Sequence, residues 1–417
     1  MVELHMLWRL ALLAVLGMVV GGFVNLAIYR LAWFPRAISP WSKPDPTAVP
    51  RRWYDRLPVV GWLFLRRESD LHGSLFWVRP LLVELALGTA FAALFWWEVE
   101  RQALEPIHPI VALPPAPLGA LLWRFAAHAL LLCLMTVASC IDLDEKTIPD
   151  WITVPGAVVG LIFITFVPTA LLPVLSLAAP VVQPMWLTAP RAFPPWMAGG
   201  AHLGVLAVAA LAYCVWCVGL LPRPWRTRRG IGFALRLLTA RMGRAPNRGL
   251  VLGLAVVGVT GIAGAWLVGG LAWQGLITSL AGLFAGGFAI WIVRVLGTAL
   301  LKREAMGFGD VTLLAMIGTL LGWQACLMIF FLAPFFGLLF GIAQVVLRRD
   351  AVIPYGPFLC LAAGLVVVAW RPLWEHTEAV FGLGWILAAV LASCIAVLGV
   401  LLVLVRAVRE ALFPEPG

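Results

Sequence analysis

Residues 311–347 read VTLLAMIGTLLGWQACLMIFFLAPFFGLLFGIAQVVL. The run is continuously apolar rather than alternating, which is the pattern of a buried or lipid-facing helix and not of a barrel strand. As one helix its 37 residues would extend about 55 Å at 1.5 Å per residue, far beyond a hydrocarbon core of roughly 30 Å. Gly322, Pro334 and Gly337 offer places to break it. The stretch is therefore read as two spans, 311–324 and 325–347.

The rest of the chain repeats this pattern. Of 417 residues, 62% are hydrophobic and 12% charged, with a mean hydropathy of +0.98. Soluble domains carry roughly twice that share of charge, so a water-soluble globular fold is excluded, and so is disorder. The expectation is an all-α polytopic membrane bundle. The net charge of +10 is assigned to cytoplasmic loops under the positive-inside rule, not to nucleic-acid binding. The seven cysteines fall in or beside apolar runs, and the Cys214-x-x-Cys217 pair, with no second pair, reads as core packing rather than a metal or redox site.

The apolar stretch from about 7 to 31 is too long for a signal-peptide core and reads as a retained first span. Further spans are expected at 80–97, 119–140, 151–172, 199–221, 250–271, 275–299, 354–371 and 382–405, eleven in all with the pair above. The loop 34–79 carries eight basic residues from Arg36 to Arg79, and 221–250 carries eight arginines and no acid. Both are placed in the cytoplasm, with the N-terminus outside and the C-terminus inside. Gly200-x3-Gly204 and Gly282-x3-Gly286 read as helix-packing motifs, and Arg294 as a snorkelling cation.

Acids are costly near lipid, so their placement is informative. No Asp or Glu occurs between Trp151 and Arg303. One cluster precedes that gap, Ile141-Asp142-Leu143-Asp144-Glu145-Lys146-Thr147-Ile148-Pro149-Asp150, and one follows it, Arg303-Glu304-Ala305-Met306-Gly307-Phe308-Gly309-Asp310. The topology puts both at cytoplasmic helix ends. Asp142 and Asp310, brought face to face, would share a proton and titrate apart, the arrangement used to activate water for peptide hydrolysis. Gly307 and Gly309 would permit a tight turn and a close backbone approach beside Asp310. Equally open, from the residues alone, is a reading as interfacial acids with Asp150 or Asp310 capping helix N-termini. Asp144, Glu145 and Asp150 read as solvated.

Five segments in order resemble the bacterial type IV prepilin peptidases, aspartyl peptidases with a G-x-G-D motif. They are GMVVGGFVNLAIYRL (17–31), LPVVGWLFLR with RPLLVEL (57–88), IDLDEKTIPD (141–150), REAMGFGD (303–310) and IPYGPFL (353–359). The resemblance implies that Asp142 and Asp310 are catalytic, with Gly307, Gly309, Asn25 and Glu84 as supporting motif residues. It implies cleavage of pilin or pseudopilin leader peptides at the cytoplasmic face of the bacterial inner membrane. Many such proteins also methylate the new N-terminus with S-adenosylmethionine. Asn25 is read as an interhelical hydrogen bond and Glu84 as a structural acid paired with Arg79 or another base.

The departures set the remaining expectations. The cytoplasmic loop lacks the C-x-x-C pairs that look like a zinc site in that family; Ser69 and His72 stand at the second pair's positions, so zinc is not expected. Arg67 replaces a glycine beside the methyl-transfer region, which counts against S-adenosylmethionine and a bifunctional peptidase and methyltransferase. Thr312 stands where many relatives have Lys. Without zinc, the loop is expected to be held by packing of Trp53, Tyr54, Leu57, Trp62 and Phe64 or by the membrane surface. The chain divides into 1–33 (first span), 34–79 (basic loop), 80–172 (spans two to four), 173–274 (an insertion with two extra spans), 275–371 (peptidase spans with GFGD) and 372–417 (an extra span and tail), so eight spans are family-like, two inserted and one C-terminal. The expected partners are a prepilin-like substrate and membrane lipid, without nucleic acid. A proton- or cation-coupled transporter is the rival reading; it would favour inverted repeats, and none is visible.

Overall fold

The computed structural model describes residues 2–108, 110–176, 181–200, 202–221, 248–301, 306–346 and 354–412. The arginine-rich loop after residue 221 and the Arg303–Glu304 pair lie outside the described residues. The chain is an all-α membrane protein. Its main helices are α1 (Val2–Leu31), α2 (Val78–Phe95), α3 (Leu118–Glu145), α4 (Asp150–Phe166), α5 (Leu203–Gly219), α6 (Arg248–Val268), α7 (Gly270–Leu301), α8 (Phe308–Val346), α9 (Gly356–Val368), α10 (Trp370–Phe381) and α11 (Trp385–Leu412). Apolar runs form helices because lipid offers the backbone no other hydrogen-bond partner. The stops are local: Lys146 in a left-handed conformation after α3, positive φ at Gly269 and Gly270 between α6 and α7, and Pro168 just after α4.

Among the described residues, six helices are long and apolar enough to cross a membrane, or seven if α9 and α10, bent by 94°, form one broken span. Three shorter apolar helices, Asp150–Phe166, Leu203–Gly219 and Trp385–Val397, fall at further positions of the eleven expected spans. The expected span 151–172 ends at Phe166, and residues after it form an antiparallel pair of strands, β1 (Pro173–Leu175) and β2 (Val182–Pro184), with Val174 opposite Gln183. The expected span 354–371 ends at Val368, where the chain turns into the mixed polar sequence of α10, WRPLWEHTEAVF. The long run that opened the sequence is one helix broken at Gly322, whose φ of 82° only glycine adopts readily. Pro334 lies inside the helix without ending it.

α7 lies against α8 through glycines. A Cβ at Gly282 would collide with the Gly318 carbonyl oxygen, and one at Gly286 with the Leu314 carbonyl oxygen. This close approach is the small-residue packing expected in a membrane. The Gly200–Gly204 pair is corrected: no atom lies within 4 Å of a Cβ at either, and the contact is made instead by Gly199 against Gly269 and Trp266. At the opposite end from the acid clusters, Trp323 donates to the Leu187 carbonyl and Gln324 to that of Trp186, fixing the segment after the hairpin onto α8.

Candidate active site

Asp142 lies in the last turn of α3, and Asp310 is the third residue of α8. Both are buried, and both line one cleft of about 540 Å³ together with Ile148, Asp150, Gly309 and Tyr355. Backbone contacts bring them together. Lys146 ends α3 with its N–H donating to the Asp142 carbonyl at 2.8 Å, and the chain then presents Ile148 to the start of α8. A Cβ on Gly309 would lie 2.8 Å from Ile148 Cβ and 3.1 Å from its backbone nitrogen and oxygen. The expected close approach is therefore real at Gly309. Neither Gly307 nor Gly309 has a positive φ, and a Cβ on Gly307 would make an ordinary 3.5 Å contact with Asp310 Oδ2.

The third wall is the start of α9. The Gly356 N–H donates to Asp142 Oδ2 at 3.2 Å, and a Cβ there would lie 2.5 Å from the same oxygen. Sequence reasoning quoted the Tyr355-Gly356-Pro357 motif and gave it no role; the signal was the glycine itself, which tolerates such contact. Asp310 is hydrogen-bonded by the Gly307 backbone. Thr312 Oγ1 donates to the Gly309 carbonyl at 3.0 Å and receives the Thr153 hydroxyl at 3.0 Å, tying α4 to the first turn of α8. Arg294 does not simply snorkel: its Nε donates to the Met306 carbonyl at 2.9 Å, and its guanidinium lies 5.6 Å from the Phe308 ring centroid. It thus holds the Gly-Phe-Gly-Asp segment from the side of α7.

Three acids expected to be solvated behave differently from one another. Asp150 is exposed at the cleft and begins α4. Asp144 instead pairs with Arg79 at 2.6 Å, and Glu145 accepts the N–H groups of Trp33 and Phe34 at 2.8 and 3.0 Å. Since Arg79 is engaged by Asp144, the expected Glu84 pairing with a base is also corrected. Among the described residues Glu84 accepts neutral donors only: the Trp62 indole, the Val59 N–H and the Asn25 amide. Asn25 also donates to the Pro80 carbonyl at 2.9 Å. Asn25 and Glu84 join α1, α2 and the loop; neither lines the cleft.

The loop 34–79 is held by ion pairs as well as by the expected aromatic contacts, Trp53 on Tyr54 at 5.9 Å and Tyr54 on Phe64 at 4.8 Å. Trp53, Leu57 and Phe64 are exposed, and of the five only Trp62 is fully buried. Arg51 pairs with buried Glu68 at 3.1 Å, and Arg67 grips buried Asp55 with both of its terminal nitrogens. Burial opposes ionisation of Asp55, yet its bonds to Arg67 and to the Arg52 N–H hold its carboxyl below the usual carboxylate range. His72 lies 3.5 Å from Glu68, a carboxylate already engaged by Arg51. Among the described residues no three His, Cys, Asp or Glu side chains are grouped to hold a metal.

Two family models match the chain. One, described as the type IV leader peptidase family, matches residues 129–234 and 242–342. The other, described as the bacterial peptidase A24 N-terminal domain, matches residues 15–98. Similar curated proteins carry the name prepilin leader peptidase/N-methyltransferase. That of Aeromonas salmonicida (strain A449) is 34% identical over 114 residues, 24% of this chain and 39% of its own. That of Pseudomonas putida is 27% identical over 181 residues, 43% and 58% of the two chains. That of Myxococcus xanthus (strain DK1622) is 31% identical over 152 residues, 36% and 38%. The match thus spans about two fifths of the Aeromonas and Myxococcus relatives. No solved structure matches the chain.

Proposed function

Because the chain belongs to the type IV leader peptidase family, we propose that it is a membrane aspartyl endopeptidase that removes leader peptides from prepilin- or pseudopilin-like substrates. The observation that carries this reading is the single cleft lined by Asp142 and Asp310, which come from acid clusters far apart in sequence. Two adjacent carboxylates do not both ionise readily, so one holds a proton while its partner is charged. The charged member takes a proton from a water molecule as that water attacks the scissile carbonyl carbon. The neutral member donates its hydrogen bond to the carbonyl oxygen. Collapse of the tetrahedral intermediate breaks the C–N bond, and a proton from the dyad goes to the departing amine.

The basic loop 34–79 lies on the same side as the cleft, since Trp33 at its border lines that cleft. The positive-inside rule then supports a cytoplasm-facing site in the bacterial inner membrane. We propose the peptidase step without N-methylation or zinc, because Arg67, which stands where the resemblance places a glycine beside the methyl-transfer region, is engaged by Asp55, and Ser69 and His72 stand at the second cysteine pair's positions.

The test is cleavage of a prepilin-like substrate by purified variants. Asp142→Asn and Asp310→Asn should each abolish cleavage while the protein stays folded, and Asp144→Asn and Asp150→Asn should retain it. Normal cleavage by either of the first two refutes the dyad, and a proton flux lost in its place supports the transporter reading. Mass spectrometry of the product should show a free N-terminal amine; an enzyme-dependent increment of ~14 Da, one methylene on an amine whose pKa is near 8, overturns the proposal on methylation.

A further inference from the structure

A second pocket, of about 410 Å³, lies at the end of α1 beside the cleft. It is lined by Tyr29, Arg30, Arg36, Trp41, Ser42 and Lys43, among others. Its three cations all reach it from exposed positions. Among the described residues none of the three is paired with a carboxylate. In the same loop Arg51 and Arg67 are both committed to acids. The pocket wall is also fixed. Arg51 binds the Ser39 and Ser42 carbonyls, the Arg36 N–H donates to the Tyr29 carbonyl at 2.9 Å, and Arg56 lies 5.3 Å from the Trp41 ring centroid.

An apolar stripe leads into this pocket. Trp8, Leu12, Val15, Val19 and Phe23 are exposed along α1, and Leu26 and Arg30 continue the same steps of three and four residues that keep one helix face. Phe23 stacks on Trp41 at 6.2 Å, so the stripe and the pocket are continuous. A ligand matching both features has an anionic phosphate head and an acyl chain.

We propose that this pocket is a binding site for the headgroup of an anionic phospholipid, with one acyl chain lying along the exposed face of α1. The unpaired charges select the phosphate; the stripe selects a membrane lipid over a soluble phosphate. The site is independent of the catalytic reading, since none of the three cations lines the cleft.

Native mass spectrometry of the full chain in detergent, titrated with phosphatidylglycerol or phosphatidylcholine, tests this. Each Lys or Arg near an anionic lipid surface contributes about fivefold in affinity. The wild type should bind phosphatidylglycerol at least tenfold more tightly than phosphatidylcholine, where tenfold corresponds to roughly 1.4 kcal/mol. Arg30→Gln/Arg36→Gln/Lys43→Gln should lose about tenfold or more of that affinity. The charge-matched triple Arg52→Gln/Arg66→Gln/Arg248→Gln, on exposed cations of the same membrane side, should lose less than about twofold, as delocalised charge alone would predict equal losses. If the first triple does not fold, the single variant Lys43→Gln should still lose severalfold. Equal loss in both triples, no preference for phosphatidylglycerol, or displacement of the lipid by glycerol 3-phosphate at equal concentration each overturns the proposal.

Discussion

Gly356→Ala isolates the geometry of the dyad from its chemistry. The added methyl would lie 2.5 Å from Asp142 Oδ2 and 2.9 Å from Ile148 Cδ1. Ordinary contact begins near 3.4 Å, so the carboxylate must retreat on the order of 1 Å. That displacement also breaks or weakens the Gly356 N–H bond to Asp142, and a hydrogen bond to a charged group is worth about 1.5–3 kcal/mol. A misplacement of about 1 Å in a catalytic constellation costs on the order of 100-fold. The turnover number for leader cleavage should therefore fall about 100-fold, with both aspartates still present. The control is Gly364→Ala in the same helix, where nothing lies within 4 Å of the new methyl; it should stay within about twofold of the wild type, as an open surface site does. Overpacking itself costs about 1–3 kcal/mol, so thermal unfolding is recorded for both variants. A folded Gly356→Ala protein that cleaves at nearly the wild-type rate would refute the argument that this glycine sets the position of Asp142.

Asn25→Ala removes two hydrogen bonds that join α1 to α2; it should lower unfolding stability by about 1–2 kcal/mol and leave the turnover of the folded fraction unchanged, as followed by thermal unfolding and cleavage in parallel. The Asp55–Arg67 pair sets an acid limit for the loop. Because the folded carboxyl is held below its ordinary value of 3.8, its contribution is fully present above that value and is lost as pH falls through the lower folded one. Hydrogen exchange of residues 51–72, corrected for intrinsic rate, should stay protected down to about pH 4 and open only below it; loss of protection well above pH 4 would refute a limit set by Asp55.

What could be read from the sequence was whatever hydropathy and local chemistry encode. The acid-free stretch between Trp151 and Arg303 singled out the two clusters that meet in the cleft, and the apolar runs marked nearly every helix. Contacts across the chain were not legible. Gly356 reaches a carboxylate 214 positions away, and nothing in its local sequence says which one. Arg51 and Glu68 are 17 positions apart at no periodic spacing, so a run of arginines read as loop charge turned out to include structural partners. Hydropathy also misjudged endings. Val167-Pro168 stays apolar while leaving the helix, and among three candidate breaks in α8 only Gly322 leaves helical geometry. Proline in a lipid-exposed helix is tolerated where neighbours satisfy the freed carbonyl, which is why Pro334 misled as a stop signal.

The end of α3 concentrates the tension between folding and function. Asp142, Asp144 and Glu145 all sit in its last turn, where the helix dipole disfavours negative charge by about 0.3–1 kcal/mol each. At about 100° per residue the three side chains leave the helix in different directions. Two of them find strong compensation: Asp144 in the Arg79 guanidinium and Glu145 in two backbone N–H groups. Those acids therefore act as ties, anchoring the helix end to α2 and to the end of α1. Asp142 is buried and, among the described residues, accepts a single neutral N–H at 3.2 Å. A carboxylate selected for stability would have been given the arginine. Asp142 is thus left beside a second buried acid, while the two neighbouring ties fix the helix end that carries it.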